Sequence, residues 1–249
     1  MTALARSEWL KIRTVRSWWA YLAVILLLSA IAVAGEIGSA EAANRSEHGF
    51  QLGLVDTVGL AGLLAIILGI TIVTAEFRHG TITPAFLVAP RRERVIAAKA
   101  VVGAAVALGF ALLALLVVVA IGVPWLELVG AEVRLTDGEI LTRVAQTLLS
   151  AVLWGLIGVA IGAVVQSQVA ALVGTLLWIF LGEALIVGVL GLVDADGASA
   201  YLPFRALDAA DGTGGEGLHS YWPGVAVSLG WIALLGALGT ERARRRDIT

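Results

Sequence analysis

No cysteine occurs in the sequence, which excludes disulfides, thiolate metal sites and a cysteine nucleophile. Charge is scarce too: 14% of residues are charged and 59% hydrophobic, with a mean hydropathy of +0.93. A soluble domain carries about a quarter charged residues, so this composition reads as an all-α, polytopic membrane protein. Only two lysines are present, Lys11 and Lys99, and neither closes a G-x-x-x-x-G-K-[ST] phosphate loop, so the chain does not bind ATP by that route. The three histidines, His48, His79 and His219, lie apart without metal-ligand spacing, and no G-x-S-x-G serine elbow occurs. No catalytic, cofactor or metal site and no nucleic-acid partner is expected on this chain.

The charge that is present concentrates in residues 74–99, TAEFRHGTITPAFLVAPRRERVIAAK, which hold Glu76, Arg78, Arg91, Arg92, Glu93, Arg94 and Lys99. Charge this dense is costly inside a bilayer and belongs at a membrane face. Its basic excess points to the cytoplasmic face. Within it, Gly80 can stop the preceding membrane helix, Thr81 or Thr83 can cap a new one, and Pro84 suits a first helical turn. Ile82, Phe86 and Leu87 then give a short helix over 78–90 an apolar side, and Pro90 ends it. The plainer reading is a solvated basic loop that only fixes topology.

Around this segment the sequence lays out six apolar spans, at about 18–34, 54–75, 101–123, 144–165, 169–193 and 223–240. The first resembles a signal peptide with Ala32-Val33-Ala34 as a small-residue site, but the topology balances with the segment retained. With six spans, the basic residues of the N-terminal segment (Arg6, Lys11, Arg13, Arg16), of the charged segment and of the tail (Arg242, Arg244, Arg245, Arg246) share one side. The other side keeps Arg45, Arg134, Arg143 and Arg205. This asymmetry puts both termini and the charged segment in the cytoplasm, and 1–249 forms a single transmembrane domain.

Residues 35–53 and 126–143 read as polar loops, the third span stopping at Pro124-Trp125. Gly158 and Gly162 form a GxxxG pair, a weak indicator of any one contact. Abundant Gly and Ala suit close helix packing, and a GC-rich genome gives the same bias. The turn Gln166-Ser167-Gln168 makes spans four and five a tight hairpin. Residues 194–222 form a Gly-rich extracellular connector with a short helix at 201–210.

Residues 2–17 form a helix that places Leu4, Ala5, Trp9, Ile12, Val15 and Trp19 on one side, a separation that Glu8 and Leu10 break. With Lys11 and Arg13 it reads as an amphipathic helix in the headgroup layer, or as an ordinary basic flank. Glu183 is the one carboxylate in the middle of an apolar span. It is either a pathway group for a cation or proton, or hydrogen-bonded glue at a helix interface.

The motifs E-W-L-K-I-R at 8–13, E-F-R-H-G-T-I at 76–82 and A-P-R-R-E-R-V-I-A-A-K at 89–99 resemble those of ABC-2 type permeases, especially short actinobacterial forms. The resemblance extends to six spans and to Tyr201-Leu202-Pro203 before the last one. It implies a dimer with an identical or homologous permease subunit and a separate ABC-type ATPase that holds the ATP and Mg. It implies an interface helix with Glu8, Trp9, Lys11 and Arg13, and a coupling helix seated in the ATPase. The coupling residues would be Glu76, Arg78, Gly80, Thr81, Ile82, Pro84, Phe86, Leu87, Arg91 and Arg92. The expected cargo is a hydrophobic or amphiphilic compound such as a drug, antibiotic or lipid, exported across a bacterial plasma membrane. The alternative is an ion-gradient-driven transporter or channel using Glu183.

Overall fold

The computed structural model describes residues 2–14, 17–41, 44–81, 92–212 and 217–245, and every regular element among them is helical. Six helical runs are long and apolar enough to cross a membrane: Trp18–Ser39, His48–Arg78, Arg92–Leu128, Gly138–Val165, Gln168–Leu192 and Tyr221–Arg245, here spans 1 to 6. A separate N-terminal helix, Thr2–Thr14, precedes span 1. Between spans 5 and 6 lie a 3-10 turn, Asp196–Tyr201, and a connector helix, Pro203–Ala210.

Spans 2 and 4 form the centre of the bundle. In lipid, helices gain little by merely burying apolar surface against each other, so close approach through small residues has to hold them. A Cβ added at Gly158 would lie 2.4 Å from the Ile66 carbonyl oxygen, and one at Gly69 would lie 2.4 Å from the Gly155 carbonyl oxygen. Spans 2 and 4 therefore touch backbone to backbone. Span 3 joins them through Gly103 and Ala107, and span 6 meets span 4 where Gly239 faces Ala163. Span 5 lies at the edge: 11% of its apolar window is buried, against 61% for span 4.

Several boundaries differ from the sequence reading: span 1 runs on to Ser39, span 3 begins at Arg92, span 4 at Gly138, and span 6 covers Tyr221–Arg245. Two further differences have a visible cause. Span 3 does not stop at Pro124 but continues to Leu128, because a π-helical turn over Val118–Gly122 precedes the proline. Pro124 then falls in the first turn of a new helical register, where its missing N–H breaks no hydrogen bond. Span 2 begins at His48 rather than near 54, and most of the second half of the loop expected over 35–53 is helix. Gln51 explains this: it is fully buried, its Nε2 donates to the Glu132 carbonyl at 2.6 Å and its Oε1 accepts from the Arg134 N–H at 2.7 Å. That polar residue is a staple to the loop between spans 3 and 4, not a mark of exposure.

Candidate functional site

The N-terminal helix packs Ala5 against the bundle and Trp9 against Trp18, with Trp9 and Leu10 still 38% and 52% exposed. Its most buried described side chain is the one that breaks the amphipathic pattern, Glu8, at 5%. It meets Lys99, whose side chain is 1% exposed, with Glu8 Oε2 at 2.7 Å from Nζ. Lys99 Nζ also lies 2.9 Å from Glu76 Oε1 and donates to the Ile72 carbonyl at 3.2 Å, which uses all three ammonium protons. Lys11 closes the ring, donating to Glu8 Oε1 at 2.6 Å and Glu76 Oε1 at 2.5 Å.

Two ammonium groups and two carboxylates thus form a neutral, charge-assisted network, and both lysines of the chain are in it. Burial pulls the Lys11 ammonium down, but the hydrogen bonds to Glu76 and Glu8 outweigh it and hold the pKa above the ordinary lysine value. Glu76 Oε2 is buried with no hydrogen-bond partner among the described residues. The ring joins three elements: the N-terminal helix, the end of span 2 and the start of span 3. Those last two are the ends of the charged segment.

Near the ring, Arg92 closes a helix C-terminus, where unpaired carbonyls favour cations, and Arg78 ties span 2 to the start of span 5. Arg92 Nη1 donates to the carbonyls of Ala243, at 2.5 Å, and Arg244, at 3.2 Å, near the end of span 6. Arg78 Nη1 donates to Gln168 Oε1 at 3.3 Å. Span 2 ends at Arg78, and Gly80 has a φ of 68°, a left-handed conformation that glycine adopts without strain and that stops the helix. Thr81 is exposed at the edge of the described residues. Ile82, Pro84, Phe86, Leu87 and Arg91 lie outside the described residues, as does the Arg13 side chain.

Glu183 is far from this ring. It is 5% exposed and follows a π-helical turn over Trp178–Gly182 in span 5. Its Oε1 accepts from the Phe204 N–H at 2.8 Å and its Oε2 from the Arg205 N–H at 3.0 Å, with Trp178 Nε1 at 3.3 Å. The carboxylate thus caps the connector helix from a different span, meeting N–H groups that have no partner within that helix. Replacing Glu183 with Ala is expected to loosen this helix by about 1 kcal/mol, the usual worth of a lost cap. Hydrogen exchange at the Phe204 and Arg205 amides would rise about fivefold, and unchanged exchange would remove the capping role.

Beside the connector helix, the Ser150 hydroxyl of span 4 donates to Asp211 Oδ1, and Arg143 Nε approaches Asp56 Oδ1 at 3.6 Å. Burial pushes the Asp211 carboxyl up to about 7 from an ordinary 3.8, against the Ser150 hydrogen bond; Asp208 and Asp56 add to the rise and Arg143 opposes it. The folded protein therefore holds this proton more tightly than the unfolded chain. Stability is expected to fall as pH rises from about 4 to about 7 and to level above that. Melting in detergent at several pH values checks it: Asp211→Asn should flatten the dependence across this window, and an unaltered slope would refute the assignment.

Sequence reasoning placed Glu8, Lys11, Glu76 and Lys99 in two separate stretches and missed that they converge. The available signal was Glu8 itself, an acid on the apolar side of a helix, with Lys11 one turn on. A family model described as ABC-2 family transporter protein matches residues 4–184, a range that contains the whole ring and Glu183. No curated protein matches the sequence.

Proposed function

Because the chain belongs to the ABC-2 family of transporter proteins, and so is a multi-pass membrane subunit of an ABC transport system, we propose that it is an exporter permease driven through its 76–99 segment. In this reading both termini are cytoplasmic, and a separate ABC-type ATPase binds ATP and Mg and seats the segment around Arg78 to Val88. Two permease subunits, identical or homologous, enclose the pathway. Spans 1, 5 and 6, each with less than a quarter of its apolar window buried, leave surface for the subunit contact. The cargo is hydrophobic or amphiphilic.

The observation that carries this reading is the ring of Glu8, Lys11, Glu76 and Lys99. A force applied to a loop is wasted if the loop deforms. Here the two roots of the segment are clamped to each other and to the N-terminal helix by charge-assisted hydrogen bonds in a buried setting, so all three move as one body. Nucleotide can then bias the bundle between inward-closed and outward-open states, provided it binds one of them better.

Glu183 fits the alternative, gradient-driven reading less well, since both its oxygens already accept backbone N–H groups. Proteoliposomes containing the chain and its ATPase separate the two. ATP-dependent movement of a fluorescent amphiphile that persists when ionophores collapse all ion gradients is the expected result. Movement that follows a gradient without ATP would overturn the proposal.

A further inference from the structure

Spans 4, 5 and 6 do not close on one another. Between them runs a groove of about 320 Å³, within the range of a single small-ligand site. Ile157 and Ile161 of span 4 form its floor, Ala171 and Gly174 of span 5 one wall, and Trp231 and Leu235 of span 6 the other. The connector helix closes one end with Phe204, beside Trp178. Both indole N–H groups are spent on the protein: Trp231 Nε1 donates to the Tyr201 carbonyl at 2.9 Å and Trp178 Nε1 to Glu183. The rings therefore turn only carbon toward the groove. Gly174 keeps it open, because a Cβ added there would meet nothing within 4 Å.

The opposite end, at Val165 and Ala170, opens at the face that carries the termini. Two exposed arginines bracket the turn next to it. Arg242 Nη1 donates to the Val164 carbonyl at 2.9 Å, and Arg78 reaches Gln168, on the two sides of the tight turn between spans 4 and 5. Among the described residues neither arginine forms an ion pair with a carboxylate. A guanidinium that is not neutralised by an acid matches a phosphate, which it can hold through paired N–H donors.

Length and charge together suit one occupant. From Ala170 to Trp178 the wall is about 12 Å long at helical rise, and one hydrocarbon chain fits a groove of that length and volume. We propose that the groove is a binding site for an anionic phospholipid, one acyl chain lying along span 4 and the phosphate held by Arg78 and Arg242. This rests only on the six-span arrangement and goes beyond the transport reading.

The test is native mass spectrometry of the purified full chain exchanged against phosphatidylglycerol and phosphatidylcholine of the same acyl chains. Wild type is expected to retain phosphatidylglycerol about tenfold over phosphatidylcholine, the worth of a charge-assisted contact. Arg78→Gln with Arg242→Gln should abolish the preference but keep binding of both lipids. Gly174→Leu, which projects into open space, should remove both lipids at unchanged melting temperature. Ala170→Leu at the mouth supplies an independent block. Equal retention of the two lipids by wild type, or full retention by both blocking variants, would overturn the proposal.

Discussion

Replacing Lys99 with Met is expected to be among the most damaging single changes in the protein. The side chain is 1% exposed and holds two carboxylates, so its loss leaves Glu8 and Glu76 buried together with Lys11 as their remaining cation in the ring. Breaking a buried ion pair from one side costs about 3–5 kcal/mol. For a chain of this size that lowers the melting temperature by about 10 °C. Removing one acid and one base together should be far milder, because the desolvation penalty disappears with the charges. The double variant Glu8→Leu, Lys99→Met keeps the Lys11 to Glu76 pair and is expected to recover most of the melting temperature. It should still fail to couple: ATP turnover by the partner would no longer rise on adding the amphiphile. A double variant that melts late and couples fully would reduce the ring to a structural clasp.

Gly158→Ala is expected to have an effect of similar size for a different reason. The added Cβ would lie 2.4 Å from the Ile66 carbonyl oxygen and 2.9 Å from its Cα, atoms that no rotamer change can move. Spans 2 and 4 would have to part along their whole contact, which also includes Gly62 against Trp154 and Gly162 against Ile70. The expected cost is about 3 kcal/mol, at the upper end of overpacking effects. Gly109→Ala and Gly236→Ala are the controls, since nothing lies within 4 Å of an added Cβ at either. Each should hold or raise the melting temperature, because alanine is the better helix former by about 1 kcal/mol. If Gly158→Ala melts like these controls, the backbone contact between the two spans is not what holds the centre together.

Six spans were legible because apolar runs of about 20 residues have few other uses, and Arg92 and Lys99 tie the end of span 6 and the N-terminal helix to the same root of the charged segment. The details failed where polar or special residues did tertiary work. Pro124 looked like a stop until a π-helical turn reset the register before it. Gln51 looked like loop until its amide proved to span two backbone groups of a distant segment. The GxxxG pair at Gly158 and Gly162 was visible, but its partner on span 2 was not, because hydrophobic pattern does not say which apolar helices touch. The charge ring was illegible for the same reason: Lys99 is 91 residues from Glu8, and only the fold brings them within 2.7 Å. For Glu183 the place within an apolar helix was readable but not the partner, which is a backbone helix start rather than a second side chain.

The central claim is that a separate ATPase drives this chain through the segment whose roots the ring clamps. The most direct measurement is purification of the chain from native membrane in mild detergent, with mass spectrometry of what accompanies it, for wild type and for a Phe86→Asp, Leu87→Asp variant. The account predicts that an ABC-type ATPase comes down in stoichiometric amount with wild type and is lost with the variant, while both chains remain monodisperse. A well-folded chain that brings no ATPase, or a variant that holds it as tightly as wild type, would contradict the account.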